Sequence, residues 1–332
     1  MQALVAARLK LKSTLEETRL EKFIRLADLK VPVSIPLTYY GAHTGRFSGS
    51  GGLNFQNLPR GGELRQALEA PPGYKVVAAD LSQIEARITA CLAEEHALVA
   101  AFTRGDDVYS LFASQLYGRT ITKADDLERF IGKTCILGLG YGMGWEKLQA
   151  SVKALRNITL PDHEAKHMVS TYRRTYPGIP KVWGLCDMGI DAMADECAGT
   201  RLGPVSFLKG RIRLPNGMSI FYPELQHMHD GHEGWEYKYR NGVKSLWGGG
   251  VTENIVQALA KIVVATAELA LSRRGLHAQL QIHDELLYCV REEVVPQVVE
   301  ALGMAMRASV PFMPDLVTDC EVKVGDNYAA AK

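Results

Sequence analysis

The sequence contains no CxxC pair; its six cysteines, Cys91, Cys135, Cys186, Cys197, Cys289 and Cys320, are scattered over 332 residues. That scatter argues against a disulfide framework and reads as reduced, mostly buried thiols of a cytosolic protein. No 18-residue apolar stretch is evident, and the opening MQALVAARLKLKST lacks the apolar run of a signal peptide. The expectation is a soluble intracellular chain with no membrane partner. No repeat and no low-complexity tract is found. Charge of one sign is also lacking, since the net charge is only +1, so no global basic field announces nucleic acid. Residues 1 to 75 nevertheless carry 11 Lys+Arg against 6 Asp+Glu, a local +5. Phosphate contacts reward a local excess whatever distant acidic residues do.

With 47% hydrophobic residues, the chain can bury one large core or two moderate ones. The apolar pattern reads as a helix over residues 3–29, an extended stretch over 31–40, and a Gly/Ser/Asn-rich loop over 41–62. Val76 to Ala79 reads as a buried strand. Helical patterns then dominate from Ser82 to about Met193, and Val205 to Tyr222 turns β-like around LPNG. The polar, Gly- and His-containing stretch 223–250 reads as a surface excursion. A long helix is expected over 252–273, two strands over 276–290, an amphipathic helix over 292–308 and a last strand over 316–324. The sketch is a discontinuous α+β fold with a helical insertion between its halves.

Two aspartates stand where short apolar strands run out. Asp80 ends VVAAD, and the SQIE that follows has the spacing of a capping box, Ser82 to Glu85. Asp284 lies in LQIHDELLYCV, where His283, Asp284 and Glu285 interrupt a strand-like pattern. With no Gly or Asn to supply a positive φ, a His-Asp turn is poor local chemistry, and such breaches gather at functional sites. Two carboxylates at strand ends suit a pair of divalent ions. Between them, Arg129, Lys133, Leu137 and Tyr141 recur every fourth residue and share one broad helical face. A solvated basic face does not explain why it continues into Leu137 and Tyr141, whereas a cationic end for phosphates and an apolar end for a base does. Gly132, Gly138, Gly140 and Gly142 each weaken that helix by about 1 kcal/mol, which points to close approach of a ligand or to a hinge. His227, His229, Asp230 and His232 are read as solvated rather than zinc ligands. His163 and His167, four residues apart, lack a third ligand nearby.

In this order the three segments resemble the palm and fingers motifs of family A (polymerase I-like) DNA polymerases. DLSQIEAR resembles the first carboxylate motif, with Leu81 where Tyr is usual, and His283-Asp284-Glu285 resembles the second. TGRFS (Thr44 to Ser48) and QNLP (Gln56 to Pro59) resemble the primer-template contact segment, and EVKVGDNY the end of the family's fold. The likeness runs from about residue 8 onward, with phage-like phrasing.

The resemblance implies an α+β fold: a palm of antiparallel sheet and helices with inserted helical fingers, thumb and exonuclease domains being absent. The implied division is 1–90 and 205–332 for the two parts of the palm and 91–204 for the fingers. Asp80 and Asp284 would hold two Mg²⁺ ions, Mn²⁺ being able to substitute, with Glu285 beside them as a third catalytic carboxylate. Glu85 would close the sugar pocket against a 2′-hydroxyl. Arg129 and Lys133 would grip the dNTP triphosphate, with Leu137, Tyr141 and Tyr109 also in the nucleotide site. Arg46, Gln56, Asn57, His283, Asn254 and Gln257 would contact primer-template DNA. Two departures stand out: Tyr109 replaces a phosphate-contacting His, and Leu137 replaces a fingers aromatic.

The implied function is template-directed DNA synthesis without proofreading, in the cytoplasm of a bacterial host for a phage-encoded chain. Two rival readings are a subunit inactive without a separate thumb- or exonuclease-bearing partner, and a single-subunit RNA polymerase. Glu85 argues against the latter.

Overall fold

A computed structural model of the chain describes residues 15–51, 54–59, 63–195, 199–228, 234–240 and 242–332. It divides into two compact units. The first comprises residues 1–80, 267–305 and 320–332, the second residues 81–266 and 306–319.

The first unit is organised by a four-stranded sheet in the order Leu280–Ile282, Glu285–Arg291, Tyr74–Leu81, Cys320–Gly325. The centre of the strand Tyr74–Leu81 is a continuous apolar run because it is covered on both faces: Val76, Val77, Ala78 and Ala79 are all buried. Val76, Ala78, Leu280, Ile282 and Leu287 form one core cluster with Phe55, Leu58, Leu64, Tyr328 and Ala331. Ile282 pairs with Glu285, so the two strands are joined by only His283 and Asp284. His283 has φ +52, whereas Asp284 is not in the left-handed region. A positive φ at the first central residue alone is the type II′ pattern, where glycine is usual. A non-glycine there costs about 1–3 kcal/mol, a cost that burying Leu286 or Leu287 next door, at about 1.5–3 kcal/mol each, offsets.

The second unit opens with seven helices: Ile84–Leu92, His96–Arg104, Val108–Tyr117, Asp126–Leu139, Trp145–Arg156, Asp162–Thr175 and Gly178–Ala194. A four-stranded antiparallel meander follows, Arg201–Leu202, Val205–Leu208, Arg211–Arg213 and Ser219–Phe221, as the alternation around LPNG suggests. The stretch read as a surface excursion is instead largely a three-stranded antiparallel sheet: Gln226–His227, Trp235–Tyr239 and Gly242–Leu246. Its Trp235, Tyr237 and Tyr239 alternate on one side of a strand, a period-2 signal that the surrounding glycines and histidines obscured.

The long helix begins at Gly248, earlier than expected, and runs to Ser272. By length and composition it could cross a membrane, with mean hydropathy 1.6 over an 18-residue window. This corrects the reading that no such apolar stretch exists. Yet 56% of that window is buried inside the protein, including Val251, Ile255, Val256 and Leu259, which is the pattern of a core helix. The five described cysteines are free thiols, and Cys135, Cys186 and Cys320 are buried.

Candidate active site

Within the first unit, the antiparallel register puts Asp80 directly opposite Glu285. Directly opposed residues project from the same face of a sheet, so the two carboxylates stand side by side and Asp284 follows in the adjoining turn. Glu285 is the buried member, 3% exposed. One of its oxygens, Oε2, accepts from the Tyr328 hydroxyl at 3.0 Å and from Lys332 Nζ at 2.7 Å. The other, Oε1, is buried with no hydrogen-bond partner. Lys332 Nζ also donates to Asp80 Oδ2 at 2.8 Å. Burial pushes the Glu285 carboxyl above the usual carboxylate range, against the pull of Lys332. Burial pulls the Lys332 ammonium down, but Glu285 and Asp80 together lift it above the usual lysine value.

These residues fit a cation. The ammonium bridging Asp80 and Glu285 is itself a stand-in positive ion, and a buried oxygen of Glu285 still lacks a partner. Among the described residues, no group of three or more His, Cys, Asp or Glu side chains forms a ready-made metal cage. The carboxylates therefore offer a two-sided cradle, the kind of open oxygen site a Mg²⁺ ion occupies together with water and phosphate ligands.

The second unit carries the basic helix. Asp126–Leu139 holds Arg129, Lys133 and Leu137, and ends before Tyr141, which sits in the following turn where Gly142 has φ +76. Lys133 and Leu137 are exposed. Arg129 is held by Asp107, Nε to Oδ2 at 2.6 Å. Burial pushes the Asp107 carboxyl up, but Arg129 and Ser110 outweigh it and leave it below its usual range. Beneath both cations lies Tyr109, buried, its ring centroid 5.6 Å from the Arg129 guanidinium and 5.9 Å from Lys133 Nζ. Burial raises the Tyr109 phenol to about 12, so it is a neutral platform under a cationic pair. The Tyr141 hydroxyl donates to Glu85 Oε2 at 3.3 Å, and burial holds that phenol well above its usual pKa.

The glycines of this helix have a different explanation from a bound ligand. A Cβ on Gly132 would lie 2.3 Å from the carbonyl oxygen of Tyr109, so the close approach is between two helices. At Gly142 the neighbour is the Trp247 ring, 2.5 Å from such a Cβ. The capping box is not formed either. The helix at Ile84 is preceded by Gln83 in the left-handed region with no side-chain cap. Ser82 instead gives its backbone N–H to the Asp319 carbonyl at 2.8 Å.

The residues expected at DNA divide by exposure. Arg46 lies half-buried in the turn closed by the Ala42 N–H to the Arg46 carbonyl, and Asn57 is exposed. Gln56 is buried, its Nε2 donating to the Gln281 carbonyl at 2.6 Å, which ties the loop to the sheet edge. His283 is in the turn, its carbonyl accepting from Gln281 Nε2 at 3.2 Å. On the long helix, Asn254 donates to the Tyr222 hydroxyl at 3.0 Å, whereas Gln257 pairs with the exposed Glu253 one turn back. His227 stacks on Trp235 with ring centroids 3.8 Å apart. His229, Asp230 and His232 lie outside the described residues, as do residues 3–14 of the expected first helix. Sequence reasoning missed Lys332, Tyr328 and Asp107. For Asp107 the signal was a carboxylate two positions from Tyr109, whereas Lys332 is 252 residues from Asp80 and carried none.

The chain matches the profile of DNA polymerase family A over residues 6–330. It is 30% identical over 295 residues to DNA polymerase I of Pseudomonas aeruginosa, covering 87% of this chain and 29% of that protein. It is 28% identical over 293 residues to the thermostable DNA polymerase I of Thermus aquaticus, covering 87% and 31%. The chain thus spans about three-tenths of the length of these relatives. Its fold is similar to the POL domain of Pol1 from M. smegmatis, solved in complex with DNA primer-template and dNTP. The TM-score is 0.69 at 24% identity, covering 99% of this chain and 53% of that one. With the profile running nearly end to end and the fold in agreement, this chain belongs to DNA polymerase family A.

Proposed function

We propose that this chain extends a DNA primer on a template, adding dNTPs to the 3′-hydroxyl. The observation that carries the reading is the strand register setting Asp80 opposite Glu285, with Asp284 in the adjoining turn, in a chain of this family. Asp80 and Asp284 would hold two Mg²⁺ ions, with Glu285 alongside. Bound there, the ions would supply a lowered pKa for the attacking hydroxyl and charge stabilisation for the pyrophosphate leaving group.

The remaining work belongs to the side chains. Lys133, exposed over the Tyr109 ring, takes a phosphate oxygen of the incoming nucleotide by a charge-assisted hydrogen bond. Arg129 adds a second positive charge, its guanidinium held in place by Asp107. Leu137 gives the nucleotide an apolar neighbour. Glu85, steadied by the Tyr141 hydroxyl, fills the space beside C2′ and disfavours a ribose. Arg46, Asn57, His283 and Gln257 contact primer-template, while Gln56 and Asn254 shape the surfaces that do so. As a working division, residues 1–90 and 205–332 serve as palm and 91–204 as fingers. Because the named relatives are bacterial, the working compartment is a bacterial cytoplasm.

Primer extension by the purified chain, with dNTPs and with rNTPs, tests this. The expected result is Mg²⁺-dependent, template-directed extension by dNTPs that greatly exceeds extension by rNTPs. Efficient growth of an RNA product would support the RNA polymerase reading instead.

A further inference from the structure

The contact that the proposed mechanism leaves unused is the bridge from Lys332 to both Asp80 and Glu285. Two carboxylates directly opposed on one sheet face repel each other, and one of these, Glu285, is buried. A buried charge without a compensating partner is costly, so a cation seated between the two carboxylates relieves both the burial and the repulsion while no divalent ion is present. The Lys332 ammonium does this, lying 2.8 Å from Asp80 Oδ2 and 2.7 Å from Glu285 Oε2. Tyr328 fixes Glu285 from the same side, its hydroxyl donating to the same Oε2.

Resting on the metal-site reading above, we infer that Lys332 is a positioning residue that acts as a resident counter-ion: it keeps Asp80 and Glu285 assembled, and a divalent ion held at Asp80, beside Glu285, displaces it. Mg²⁺ binds oxygen at about 2.0–2.1 Å, which would set an ion on Asp80 within about 5 Å of the Lys332 ammonium, where the like charges repel. Its side chain is 22% exposed, so it has an open way out. The device has two opposite consequences. It preserves the site before loading, and it sets a threshold that the metal concentration must exceed.

The test is Mn²⁺ binding to the DNA-free protein, read from the loss of the free-ion electron paramagnetic resonance signal, for wild type, K332R, K332Q, K332M and D80N. K332Q and K332M should bind about tenfold tighter or more, the worth of a lost competing charge-assisted contact. K332R, which keeps the competing charge, should stay near wild type. Melting in chelator and then in Mg²⁺ supplies a second readout. K332M should melt below wild type in chelator and gain more than wild type when Mg²⁺ is added. A lysine with a purely structural role would lower both melts equally. Unchanged Mn²⁺ affinity in K332Q and K332M, with binding still lost in D80N, overturns the counter-ion role and leaves the metal site standing. Mn²⁺ binding indifferent to D80N overturns the metal-site reading itself, and this inference with it.

Discussion

Replacing Gly132 by Ala tests the explanation offered for the glycines of the basic helix. The added methyl would sit 2.3 Å from the Tyr109 carbonyl oxygen and 3.1 Å from the Ala113 Cβ. The first is backbone, which cannot rotate away, so the helices Val108–Tyr117 and Asp126–Leu139 must separate by about 1 Å to reach ordinary contact. Overpacking of this kind costs about 1–3 kcal/mol, while Gly to Ala within a helix returns about 1 kcal/mol. The net expectation is destabilisation of about 0–2 kcal/mol, or a melting decrease of up to roughly 8 °C on the scale of 2–4 °C per kcal/mol for a unit of this size. The more telling consequence is catalytic. Tyr109 underlies Arg129, one turn before Gly132, and Lys133, the residue after it, so the separation lifts both cations off their platform. The dNTP KM should rise several-fold while the KM for primer-template stays put. Urea unfolding and steady-state extension kinetics measure the two effects. A G132A protein more stable than wild type, with unaltered dNTP kinetics, would refute the helix-contact explanation.

Asp80→Ala and Asp284→Ala should each abolish extension with primer-template binding retained, checked by extension assay and by fluorescence anisotropy. Glu85→Ala should admit ribonucleotides, read as the ratio of kcat/KM for dNTP over rNTP. Tyr141→Phe, which removes the hydroxyl that donates to Glu85 at 3.3 Å, should move the same ratio in the same direction by less. Lys133→Ala should raise the apparent dNTP KM and lower the rate, because a phosphate contact is lost in ground and transition states alike. The Asp107 carboxyl is held below its usual value in the folded chain. Its contribution to stability is thus complete above the unfolded pKa near 4 and is lost as pH falls through the lower folded value. Asp107→Asn should flatten that acid limb of the melting profile.

The strand ends bearing Asp80 and Asp284 were readable because the strand to Asp80 is covered on both faces, so the run of apolar residues stops only where chemistry begins. The turn at His283-Asp284 was readable as an offence against turn preferences, and the left-handed φ at His283 bears that out. The SQIE spacing misled, because a cap is worth only about 1 kcal/mol and the segment follows tertiary contacts such as the Ser82 to Asp319 bond instead. The glycines misled as to cause: a sequence shows that backbone comes close to something, not that the something is Tyr109's carbonyl. Lys332 and Tyr328 were beyond reach, since contacts across 252 and 43 residues obey no local period.

The two-residue turn between Ile282 and Glu285 has a consequence for what this chain can tolerate by insertion or deletion. Side chains alternate sides along a strand, so sliding Glu285–Arg291 by one residue against Tyr74–Leu81 would swing Glu285 to the far side from Asp80 and exchange the buried sets on both surfaces. Lengthening the turn would carry Asp284 away from Asp80 without moving a single paired residue. The spacing His283-Asp284-Glu285 therefore behaves as a gauge block: residue types around it can drift, whereas its length cannot change by even one position.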